Sequence, residues 1–219
     1  MKINEKFFYT LLIIFSSVRF VHLLNIPIFI DEQAHLYYSQ LSFQSGNYLI
    51  ALPNRIFPIV LWIIGFFQII FKEINPLILG RTVTVTSDLI SVALIFFLGK
   101  EILSKRYGIY SALIYLLIPL NFIHSRLILL EPITQAFFLA SLYVFIRALK
   151  KENFFLLLLS SFLLALSFLS KPTALASFGA FPAVFISYMI TTKGKNTKKI
   201  ILNLFILGAL TLILVLPFI

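Results

Sequence analysis

Apolar residues run along this chain in blocks of lipid-crossing length, separated by short basic clusters. The blocks are residues 7–24, 82–99, 107–123, 133–149, 154–170, 173–191 and 200–219. A hydrocarbon core about 30 Å thick takes roughly 17–25 helical residues. The pattern therefore predicts an all-α membrane protein with about seven transmembrane helices, and no repeat or soluble domain interrupts them. The first block follows Lys2 and Lys6, as a signal peptide would. It lacks a small-residue cleavage site and carries Arg19 and His22, so it reads as an uncleaved first span.

Residues 58–71, PIVLWIIGFFQIIF, are apolar but number only fourteen. The loop charges decide their place. If this stretch does not cross and the N-terminus is cytoplasmic, twelve of the eighteen basic residues fall on the inner side. They include Lys100, Lys105 and Arg106, then Arg147, Lys150 and Lys151, then the cluster from Lys193 to Lys199. If it did cross, the later clusters would change sides and the bias would vanish. The positive-inside rule thus predicts a half-buried, interfacial helix. Residues 25–80 become one long outer loop, and residues 1–219 a single transmembrane module.

Composition sharpens this picture. Hydrophobic residues make up 60% of the chain, against roughly 45–50% in soluble domains. A net charge of +10 in a soluble protein would suggest nucleic acid. Here the basic residues sit in membrane loops, so no nucleic-acid partner is expected. The absence of cysteine excludes a disulfide framework and a thiolate metal site.

With the topology fixed, the acidic residues sort themselves. Glu5, Glu101 and Glu152 lie among the inner basic clusters as solvated partners. Asp31, Glu32, Glu73 and Glu131 lie at or near the outer surface, and Asp88 sits seven residues beyond Arg81 on the same helix face. Four polar clusters then share the outer side: Asp31-Glu32-Gln33-Ala34-His35, Gly80-Arg81, His124-Ser125-Arg126 with Glu131, and Ser170-Lys171-Pro172. Charges close to hydrocarbon are costly and line a cavity or pair with one another, which predicts one shared polar site. Blander readings compete. Arg126 and Lys171 would snorkel to headgroups, Lys72 and Glu73 would form a solvated pair, and His22 and His35 would be packing residues. Asp88 would neutralise an intramembrane arginine such as Arg19 or Arg126. The adjacent carboxylates Asp31 and Glu32 resist a structural explanation most.

In order and on one membrane face, these pieces resemble the GT-C glycosyltransferases. Within them they are similar to the protein O-mannosyltransferase and aminoarabinose-transferase group, glycosyltransferase family 39. Arg19 precedes Asp31-Glu32-Gln33-Ala34-His35-Leu36-Tyr37. An amphipathic stretch from Pro53 to Phe71 follows, then Gly80-Arg81, Ser125-Arg126-Leu127 with Glu131, and Ser170-Lys171-Pro172-Thr173. The second acidic position is often Asp in that family and is Glu131 here. Family members are usually longer, so the chain reads as a fragment truncated at its C-terminus, a minimal form or an inactive relative. The family's juxtamembrane helices in the first outer loop agree with a non-crossing 58–71.

The resemblance implies transfer of a sugar from a polyprenyl-phosphate donor to a hydroxyl of a protein, lipid or glycan acceptor, with inversion. It places the site on the non-cytoplasmic face of a prokaryotic plasma membrane or a eukaryotic ER membrane. Asp31 is the expected base, with Glu32 and Glu131 as further catalytic carboxylates. Arg81, Arg126 and Lys171 are the expected cations for the donor phosphate, and Arg19, His35, Asp88 and His124 are supporting residues. A divalent cation, if one is used, would sit on Asp31 and Glu131. The rival readings are a transporter or flippase for a lipid-linked or anionic solute, and an inactive GT-C-like scaffold. Transporters favour inverted repeats and midplane sites, whereas the polar residues here crowd one surface.

Overall fold

The computed structural model describes residues 5–54, 56, 58–183, 186 and 197–218. Among these residues the chain is helical with no strand, and the protein is an all-α membrane protein. The helices are α1 (Glu5–Phe20), α2 (Ile30–Ser45), α3 (Pro58–Ile70), α4 (Pro76–Ile102), α5 (Lys105–Leu117), α6 (Pro119–Ser125), α7 (Leu130–Lys151), α8 (Phe154–Ser170) and α9 (Thr197–Val215).

Among the described residues, α4, α7 and the segment Ile201–Phe218 are long and apolar enough to cross a bilayer. The expected continuous span over 107–123 is broken. Helices α5 and α6 meet at 69°, and they meet at a proline. Ile118 is extended (ψ 115°) because the ring of Pro119 disfavours helix in the residue before it. Helices α1 and α8 are apolar but have 16 and 17 residues, roughly 24–26 Å of rise. Of the expected span at 173–191, Pro172–Gly179 forms a 3-10 helix and residues 180–183 are α-helical. Most of the remainder lies outside the described residues, as do Lys2, Lys193 and Lys195.

Among the described residues the expected long loop contains two complete α-helices, α2 and α3. Helix α3 has 13 residues, about 20 Å, well short of a ~30 Å core. It buries Ile59, Val60, Leu61 and Ile64 and leaves Phe66, Ile69 and Ile70 exposed, the one-sided pattern of a half-buried helix. Gly65 lets it lie on α2, since a Cβ there would come within 2.4 Å of the Phe43 ring and 2.8 Å of the Ser39 carbonyl oxygen.

The chain forms two compact units, Met1–Ile133 and Thr134–Ile219. In the first, α4 packs along α5. Backbone touches backbone there, because a Cβ on Gly99 would sit 2.7 Å from the Cα of Gly108. Such small-residue contacts replace the hydrophobic drive that lipid cannot supply. Val92, Ile109, Ala112, Tyr115 and Leu116 form the core of this contact, with Leu12 and Phe15 of α1 against it. In the second unit, short hydroxyls join the helices. Ser141 donates to the Ser160 carbonyl (2.7 Å) and Ser160 to the Ser141 carbonyl (2.9 Å). Ser167 donates to the Thr134 carbonyl (2.9 Å), and Phe145 and Phe138 meet the edge or face of Phe181.

Candidate functional site

The Asp-Glu pair opens α2, and its two carboxylates have opposite fates. Glu32 is the third helical residue and is fully buried. Its Oε2 accepts the Phe29 N–H at 2.8 Å, tying off an orphan donor of the helix start in the manner of a capping box. Arg81, near the start of α4, donates Nε to Oε1 at 2.8 Å and Nη2 to Oε2 at 2.6 Å, a bidentate fork. The Ile128 N–H completes the set at 2.8 Å. Burial alone would raise the Glu32 carboxyl. The Arg81 guanidinium and the two backbone N–H groups outweigh burial and hold it below the ordinary carboxylate range.

Arg81 is equally committed. Its remaining donors go to the carbonyls of Leu23, Ile26 (3.0 Å) and Pro27 (3.2 Å). A guanidinium has five N–H groups, and all five are used. Expected as a catalytic carboxylate and a phosphate-binding cation, Glu32 and Arg81 instead saturate each other and three carbonyls of the link between α1 and α2.

The same clamp reaches residues 126–129. His35, one turn beyond Glu32 and buried, has Nδ1 2.7 Å from the Ile128 carbonyl oxygen. Both backbone groups of Ile128 are thereby held by α2. The Ile128 side chain fills the space over Gly80, where a Cβ would come within 2.5 Å of its Cδ1. Gly80-Arg81 thus works as a unit: the glycine admits Ile128, and the arginine grips Glu32. Asp31, one residue away on the helix, is exposed. Among the described residues its carboxylate has no hydrogen bond or ion pair.

Below the clamp lies a second buried pair. Arg19 donates Nε to Asp88 at 3.0 Å, and the Tyr115 hydroxyl donates to the other Asp88 oxygen at 2.6 Å. Asp88 therefore does neutralise an intramembrane arginine, and that arginine is Arg19. Nη1 and Nη2 of Arg19 are buried with no hydrogen-bond partner among the described residues. The guanidinium instead lies 5.6 Å from the Phe122 ring centroid, and that of Arg126 lies 5.1 Å from the same ring, both within cation–π range. Arg126 donates Nη2 to the Val21 carbonyl, while its Nε is buried without a partner among the described residues. Burial and, next, the Arg81 charge push Arg126 below its ordinary value. It remains protonated, as arginines do, and it carries the least committed cation of this cluster.

His124 is half-buried in the last turn of α6, and Glu131 is half-buried in the first turn of α7. Lys171 caps the C-terminal end of α8 in the second unit. Among the described residues there is no group of three or more His, Asp or Glu able to hold a metal ion, and Glu32 has its acceptor positions filled. Sequence reasoning missed Tyr115, Phe122 and the backbone of Ile128. Tyr115 carried a signal, since a phenol in a lipid-length apolar run needs a partner. The carbonyls of 23–27 and the N–H of Ile128 carried none, because every residue has them.

Compared with known proteins, residues 53–219 match the family model described as dolichyl-phosphate-mannose-protein mannosyltransferase. No curated protein and no solved structure matches the chain. The matched segment contains Arg81, Arg126, Glu131 and Lys171 and begins after Asp31 and Glu32.

Proposed function

Because the chain belongs to the dolichyl-phosphate-mannose-protein mannosyltransferase family and is a membrane glycosyltransferase, we propose that it transfers a hexose or pentose from a polyprenyl-phosphate donor to an acceptor hydroxyl, with inversion, on the non-cytoplasmic face. The membrane is a plasma membrane in a prokaryote or an ER membrane in a eukaryote. The acceptor is a hydroxyl of a protein, lipid or glycan. The observation that carries this reading is Asp31: an exposed carboxylate whose neighbour, Glu32, is locked at four points.

In the proposed step, Asp31 takes the proton of the acceptor hydroxyl as its oxygen bonds to the anomeric carbon. The bond from that carbon to the phosphate oxygen breaks on the opposite face, and the polyprenyl phosphate leaves with the electron pair. Inversion follows from a single displacement. Preorganisation, which places charged groups before the reaction begins, supplies much of such a barrier reduction. Glu32, Arg81, His35 and Gly80 are positioning residues in this reading: they fix the α2 terminus that carries Asp31. Arg126 is the cation offered to the leaving phosphate, with Arg19 and Asp88 behind it. Lys171 and Glu131 stay as further candidates for phosphate binding and acceptor orientation, and His124 as a supporting residue.

The test is transfer by the membrane-embedded protein supplied with a panel of polyprenyl-phosphate sugars. Asp31→Asn keeps size and polarity but cannot accept the proton at neutral pH. It should lower turnover by about 10²–10⁴-fold while donor binding holds. Near-normal transfer by Asp31→Asn ends the general-base assignment.

A further inference from the structure

Away from Asp31, the C-terminal half of α2 and the end of α3 enclose a cavity of about 440 Å³. Gln40, the nearest lining residue on α2, is nine residues beyond Asp31, roughly 13 Å along the helix. Gln40, Gln44, Gln68 and Lys72 line the cavity, and no carboxylate does. Lys72 and Glu73 are both exposed to solvent, as expected, and among the described residues Lys72 makes no direct ion pair. The Ser39 hydroxyl gives its one proton to the Leu36 carbonyl at 2.8 Å and lies 3.3 Å from the Gln68 amide, whose N–H groups can donate into the cavity. The polar wall therefore offers one cation and several N–H groups, the chemistry that holds an anionic oxygen cluster.

The rim has the opposite character. Ile69 and Ile74 also line the cavity and are 45% and 42% exposed. They belong to the apolar surface of α3 and the turn that follows it, where Phe66 and Phe71 are exposed as well. A free anion has no use for such a rim, whereas a molecule carrying a phosphate on a hydrocarbon body needs both parts. The volume lies within the 300–1,000 Å³ of small-ligand sites.

We propose that this cavity is a lipid-headgroup site, in which Lys72 and the three glutamine amides hold the phosphate of an anionic phospholipid whose chains lie over Ile69 and Ile74. The bound lipid fastens the α2–α3 pair to the bilayer surface, independently of which sugar the protein transfers.

The full chain, purified in detergent and given equal phosphatidylglycerol and phosphatidylcholine, tests this by native mass spectrometry. Retention of phosphatidylglycerol should exceed that of phosphatidylcholine by about fivefold, the factor one basic residue contributes near an anionic surface. Lys72→Ala should erase the preference. Gln44→Glu, which adds a carboxylate to the lining and cancels the lysine charge, should erase it as well. Both side chains are exposed, so neither change threatens the fold. Equal retention of the two lipids overturns the proposal, and so does an unchanged preference in Lys72→Ala. Displacement of phosphatidylglycerol by millimolar inorganic phosphate also overturns it, in favour of a free-anion site.

Discussion

Among the described residues two buried ion pairs hold the first unit, and they are built to different standards. In Glu32–Arg81 every acceptor position and every N–H has a partner, and the pair also ties three carbonyls and the Ile128 backbone. In Arg19–Asp88 one N–H of the guanidinium meets the carboxylate, a tyrosine meets the other oxygen, and the terminal nitrogens face an aromatic ring. Buried charge is stabilising only when its geometry is complete, because desolvation consumes most of the Coulomb gain. The upper pair is thus a clamp that specifies where chain segments meet. The lower pair neutralises charge in an apolar setting and fixes little else.

The largest effect should come from breaking the clamp on one side. Glu32→Ala leaves a fully buried guanidinium without its carboxylate, and losing one partner of a buried pair costs roughly 3–5 kcal/mol. Thermal unfolding of the detergent-purified protein should show this as a large drop in Tm, and sugar transfer should fall with it as Asp31 loses its fixed position. A drop no larger than that of an exposed carboxylate would mean that the clamp is not a clamp.

Acid should open the same joint more gently. The folded Glu32 carboxyl sits below its ordinary value, so the clamp contributes fully above the unfolded value of about 4.3 and is lost as pH falls through the lower folded value. Stability measured from pH 6 down to pH 3 should therefore decline below about pH 4.3, with a shallower decline in Glu32→Gln. Equal slopes in the two proteins would assign the acid sensitivity to other carboxylates.

Much of this arrangement was legible in the chain. Charges beside lipid-length apolar runs had to pair or line a cavity, and that logic brought out Asp31, Glu32, Gly80, Arg81 and Arg126, as well as the pairing of Asp88 with an arginine. What stayed hidden was the division of labour within Asp31-Glu32. Adjacent helical residues point about 100° apart, so one turns inward and the other outward. Which one turns inward is decided by docking on Ile128, 96 residues from Glu32. The break at Pro119 was hidden differently: the proline was in view, but the run around it was apolar enough to read as one span. The commitment of Arg81 to carbonyls was invisible, because backbone groups leave no mark in a side-chain pattern.

The smallest effect should come from erasing the lower pair altogether, and it is the sharpest test of the comparison. Arg19→Met, Asp88→Leu and Tyr115→Phe, made together, replace an incompletely bonded polar triad with apolar groups of similar length. Substitutions of this kind in buried ion clusters are often neutral, or stabilising by roughly 1–4 kcal/mol, because no desolvated charge remains. Each of the two charge changes made alone should be costly, since it strands a charge opposite an apolar side chain. The triple variant should therefore unfold at or above the wild-type temperature, while Arg19→Met and Asp88→Leu unfold below it. Transfer by the triple variant is a separate reading: retained activity would make Arg19 and Asp88 structural, and lost activity with intact stability would place Arg19 beside Arg126 at the phosphate. A triple variant as unstable as Glu32→Ala would show that the terminal nitrogens of Arg19 do find partners and that the two pairs are of one kind.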